Sequence, residues 1–159
     1  MSAYPTKKYY DLKEIENKFV GYKNEEWSNI NADDYLFFCT AIQMLPKKIV
    51  DRIDKEIFFV LMGSKEKTTE PQEINSILGK IKAACIVWRE DLENIDCKAV
   101  IIISPIVFMN SYEFNAKIII HHEIAHYIIG HNNSNSTDER ELAANELAKK
   151  WREDYWRLS

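Results

Sequence analysis

His121, His122, His126 and His131 are the only histidines in the chain, and all four fall in one isoleucine-rich stretch, "HHEIAHYIIGH". An α-helix turns about 100° and rises about 1.5 Å per residue. His122 and His126 therefore share one helix face, about 6 Å apart along the axis. No other pair of the four has a spacing of three or four. Glu123 flanks the pair. This is the H-E-x-x-H pattern, in which two imidazoles hold a zinc ion while the glutamate acts on water at the metal.

The flanking residues support this chemistry. Ile118, Ile119, Ile120, Ile124, Ala125, Ile128 and Ile129 cover nearly every direction of the helix, and a helix apolar all round is expected to be buried. Burying imidazoles and a carboxylate without partners costs several kcal/mol. A coordinated ion removes that cost. His121 points away from the ligand pair and is expected to pack, or to support a ligand from behind. His131 follows Gly130, an expected helix C-cap, where a cationic side chain suits the helix terminus.

Catalytic zinc takes three protein ligands and keeps one position for water. With every histidine already in this window, the third ligand is expected to be a carboxylate from "STDERELAANELAKKW". Ser136 and Glu139 fit the N-cap and N3 positions of a capping box, which would occupy Glu139. Glu141 shares a face with Ala144, Asn145 and Ala148, small residues that let two helix backbones approach. Asn145, one turn on, could orient a ligand. Glu146 points about 140° away. Glu141 is the expected ligand, and Glu139 is the alternative.

With the residues in view, "HHEIAHYIIGH" followed by "ERELAANELAKKW" resembles the gluzincin metallopeptidases, particularly the compact ImmA/IrrE-type peptidases. These pair H-E-x-x-H with a glutamate on the next helix in an E-x-x-A-[DN]-like setting, matched here by Glu141, Ala144 and Asn145. The resemblance covers about 35 of the 159 residues. It implies a zincin-like fold, one zinc per chain held by His122, His126 and Glu141, and Glu123 as general base. It also implies a protein or peptide substrate, with a regulatory protein as the target class. A second oxyanion donor is not identifiable. Tyr112, Tyr127, His131 and Tyr155 are each expected to serve packing. A competing expectation is a metallopeptidase-like protein-binding module with a structural or vestigial zinc, and a third is a zinc hydrolase acting on another bond.

These residues need elements to hold them. Residues 1–30 have no clean period and read as an N-terminal arm with a helix near 11–20. "NADDYLFFCTAIQML" reads as a helix capped by Asn31 and stopped near Pro46, with a short helix to follow at 47–54. "EIFFVLMGS" (56–64) and "CKAVIIIS" (97–104) read as strands. "KAACIVWRE" (82–90) reads as a strand, although its alanines leave helix open. Residues 82–89 or 98–104 could supply a sheet edge for an extended substrate. The motif helix, a polar loop and a last helix to about 155 complete an α+β domain spanning 1–159, a small mixed sheet packed on two ligand-bearing helices.

Bulk properties narrow the classes. The net charge of −4 and pI near 5.6 give no general electrostatic reason to bind nucleic acid. No apolar run approaches the roughly 20 residues that span a bilayer, and the first residues lack a signal-peptide core. Cys39, Cys85 and Cys97 lack C-x-x-C spacing, so free thiols in a reducing, cytoplasmic compartment are expected. The four tryptophans are expected to fill core or close helix contacts.

Overall fold

A computed structural model describes residues 8–23, 30–61, 84–88, 97–103, 113–130 and 138–158. Helices start where the sequence supplies caps. Asp11 opens α1 (Leu12–Lys18): its carboxylate accepts from the Glu14 N–H at 2.8 Å, and Glu14 accepts from the Asp11 N–H at 3.1 Å. A 3₁₀ turn follows at Val20–Lys23. Asn31 caps α2 (Ala32–Gln43), accepting from the Asp34 N–H at 2.8 Å. Pro46 opens α3 (Lys47–Glu56), where a missing N–H costs nothing. This helix passes directly into β1 (Ile57–Leu61).

β1, β2 (Ala84–Trp88) and β3 (Ala99–Ile103) form a mixed sheet in the order β1-β3-β2. β3 runs parallel to β1, with Ile57 opposite Ala99, and antiparallel to β2, with Ala84 opposite Ile103. The ambiguous segment 82–90 is thus a strand. The expectation that 98–104 could be a sheet edge is overturned, because β3 is paired on both sides. β1 is partly closed on its outer side by Tyr22, whose hydroxyl accepts from the Phe59 N–H at 3.3 Å and donates to the Ile57 carbonyl at 3.5 Å.

Two long helices complete the fold, α4 (Glu113–Ile129) and α5 (Asp138–Leu158), packed on each other. α4 also packs on α2, β2 and β3. It ends at Gly130, whose φ of 90° a side chain would strain. The class is α+β.

One apolar core joins α1, α2, α3, β1, β3, α4 and α5. Phe19, Phe38 and Phe59 meet edge to face, with Phe38 lying 5.7 Å from Phe19 and 5.1 Å from Phe59 between centroids. Burial of Ile120 and Ile124 contributes about 1.5–3 kcal/mol each to holding α4. α4 is not buried all round as its sequence suggests: Ile128 is half-buried and Ile129 is 40% exposed. Trp151 is buried, whereas Trp156 is exposed; Trp27 lies outside the described residues. Neither Cys39 nor Cys97 is in a disulfide.

The described part of the N-terminal arm belongs to the core. Ile15 and Phe19 are fully buried, and the Lys8 carbonyl accepts from the Lys47 N–H at 2.9 Å. Tyr9 meets Tyr155 edge to face at 5.1 Å. Tyr155 is fourteen positions beyond Glu141 on α5, about 21 Å along the axis. Tyr9 is therefore anchored far along α5 from Glu141. Among the described residues, no helix is long and apolar enough to cross a membrane.

Candidate metal centre

The packing of α4 on α5 sets the site. Ala144 and Ala148 are buried in that contact, and their small side chains let the two backbones close. His122 and His126 project from α4 toward Glu141, in the first turn of α5. His122 Nε2 lies 2.7 Å from Glu141 Oε2, and His126 Nε2 lies 3.3 Å from Glu141 Oε1. The two Nε2 atoms are 3.0 Å apart. The three residues can each offer one donor atom, all within 4.8 Å of one another. His122 and His126 are largely buried and Glu141 is 44% exposed, so the site opens to solvent on the α5 side.

Asn145 decides how His122 is used. Its Oδ1 lies 2.8 Å from His122 Nδ1. With the amide oxygen facing the ring, Nδ1 donates and the neutral imidazole keeps a lone pair on Nε2. That lone pair faces a carboxylate oxygen and a second imidazole nitrogen. Shared protons can hold such atoms at these distances, and so can a cation that takes one lone pair from each. Tetrahedral zinc, with bonds of about 2.0–2.2 Å, spaces its ligand atoms about 3.4 Å apart. The observed separations of 2.7, 3.0 and 3.3 Å are within several tenths of an ångström of that cage. Two imidazoles and a carboxylate also suit zinc chemically. The residues present fit the ion.

Glu123 is half-buried beside the pair on α4. Burial pushes its carboxyl up to about 8, and the Glu141 carboxylate adds like-charge repulsion. Glu139, the alternative ligand, is exposed as the second residue of α5 and falls outside the cluster. Ser136 and Thr137, and with them the expected capping box, lie outside the described residues.

His121 is turned about 100° from His122 around α4 and is fully buried. Its Nε2 lies 2.7 Å from the Ala41 carbonyl at the end of α2, and its Nδ1 lies 3.2 Å from Arg152 Nη1. Burial holds this imidazole down at about 4. Tyr127 is buried, and its hydroxyl donates to Glu56 Oε1, so it serves packing rather than an oxyanion. Tyr155 packs on Tyr9 and Trp156, far along α5. Tyr112 and His131 lie outside the described residues. Arg152 escaped the sequence reading, although its spacing of eleven from Glu141 puts both on one face of α5.

Comparison with protein-family models, curated proteins and solved structures found no match. The site's own geometry therefore carries the functional conclusion.

Proposed function

We propose that this chain is a zinc-dependent peptidase of the gluzincin kind, in the zincin-like form that its ImmA/IrrE resemblance implies. The observation that carries the proposal is the convergence of His122, His126 and Glu141, with donor atoms 2.7–3.3 Å apart, from two helices. His122 and His126 would hold the ion through Nε2 and Glu141 through a carboxylate oxygen. When bound, zinc supplies Lewis-acid chemistry, acidifying water and polarising a carbonyl oxygen.

The chain's own groups supply the rest. Glu123, adjacent to His122, takes the proton from the attacking water and delivers it to the departing amine. Asn145 fixes the tautomer and ring orientation of His122. Among the described residues, β2 has no strand on its outer side, and α4 packs against it. An extended peptide added there would pair with a strand that the metal helix itself packs on. A regulatory protein is the proposed target class.

The test is metal content followed by cleavage. Purified protein should carry about one zinc per chain. Glu123→Gln should keep that zinc while hydrolysis of denatured proteins falls by about 10²–10⁴-fold. Equal cleavage by the two proteins sinks the role of Glu123. A zinc-loaded native protein that cleaves nothing in the panel favours the protein-binding module instead.

A further inference from the structure

α4 is fixed against α5 at two places. One is the ligand cluster. The other is His121, next in sequence to His122 and turned about 100° from it around α4. Because a guanidinium only donates, the Arg152 contact at 3.2 Å makes His121 Nδ1 an acceptor. Nε2 then carries the proton and donates to the Ala41 carbonyl at 2.7 Å. Both ring nitrogens are used, and no freedom of tautomer or ring flip remains. The ring is a fully buried pin between the end of α2 and the last third of α5.

The placement of Arg152 gives the pin its consequence. Eleven positions separate it from Glu141, about three full turns plus 20°, so both lie on one stripe of α5. Asn145 and Ala148 lie on the same stripe. The helices run antiparallel: His126 meets Glu141, His122 meets Glu141 and Asn145, and His121 meets Arg152. Rotating α4 by a single residue position would move His122 about 100° off the carboxylate. We infer that Arg152, acting through His121, is a positioning residue that sets the rotation of α4 and so aims His122 and His126 at Glu141.

This inference rests on the proposed metal site, and the experiment separates the two. Zinc affinity is measured by chelator competition, and the visible band of the cobalt(II)-loaded protein reports ligand geometry. Native protein, Arg152→Met and Arg152→Lys are compared, each with a thermal melt of the metal-free form. Arg152 is only half-buried, and methionine keeps its length and helix propensity. Arg152→Met is expected to weaken zinc binding about tenfold and to change the cobalt band. Arg152→Lys, which restores a donor, should recover most of both. Should Arg152→Met not fold, Arg152→Gln is read in its place, with a smaller expected loss. A folded Met or Gln variant with native affinity and an unchanged band overturns the inference while leaving the metal site standing. Native protein that binds neither zinc nor cobalt overturns both.

Discussion

Asn145 Oδ1 and His122 Nδ1 lie 2.8 Å apart, across the α4–α5 contact and one helical turn from Glu141. One short stretch of α5 therefore supplies a candidate ligand and also the group that directs the other candidate ligand's lone pair. Partners of this kind matter about 10–100-fold in metal affinity elsewhere. Asn145→Leu should weaken zinc binding within that range, while Asn145→Asp, which still accepts from Nδ1–H, should bind at least as well. Chelator competition checks both. Native affinity in the leucine variant would show that the amide contact does not direct the ring.

The two glutamates at the start of α5 give opposite expectations. Glu141 places both carboxylate oxygens against imidazoles, whereas Glu139 is exposed and outside the cluster. Glu141→Gln should lose zinc and activity together. Glu139→Gln should keep both, with a stability change within about 0.5 kcal/mol. Metal analysis after gel filtration distinguishes them. The reverse pattern would transfer the ligand role to Glu139.

Much of this was legible in the sequence because it depends on local spacing. The i, i+4 histidine pair, the Asn31 cap and the β-branched run of β3 announce themselves within a turn or two of chain. Glu141 followed from its alanine-bearing face. What stayed hidden depends on contacts between distant elements. β3 reads as a strand, but only the parallel pairing with β1 makes it central and denies it an edge. His121 reads as a packed histidine, but its partners Ala41 and Arg152 lie 80 and 31 residues away. The isoleucines of α4 overstate its burial, since hydropathy cannot say that Ile129 ends on the surface.

Metal removal should lower stability without unfolding the chain. The aromatic core of Phe19, Phe38 and Phe59 comes from the C-cap of α1, from α2 and from β1, and none of these supplies a candidate ligand. The fold therefore does not depend on the ion as a zinc finger does. Zinc at a hundredfold excess over its dissociation constant adds about 2.7 kcal/mol. For a chain of this size that raises Tm by about 8 °C. Calorimetry with and without chelator checks this. Glu141→Gln should abolish the zinc-dependent rise while keeping a cooperative melt. Non-cooperative unfolding on chelation would make the site structural.

Tyr127 provides a prediction about pH. Its hydroxyl donates to Glu56, which Arg52 also contacts at 3.2 Å, and this joins α4 to the α3–β1 junction. Burial raises the Glu56 carboxyl, but the Tyr127 and Arg52 hydrogen bonds and the nearby positive charges outweigh it, leaving the group below its usual range. A carboxyl with a depressed folded pKa contributes stability above its unfolded value, near 4.5, and loses it as pH falls through the folded value. Tyr127→Phe removes a charge-assisted bond and should cost about 1–2 kcal/mol at neutral pH. The cost should shrink as pH falls below about 4.5, because the native protein then loses the same contribution. Denaturant melts of both proteins from pH 7 to pH 3 give the comparison. Cleavage per folded molecule should stay near native, since this hydroxyl is committed to Glu56 rather than to substrate. A large drop in turnover with unchanged stability would instead make Tyr127 an oxyanion donor.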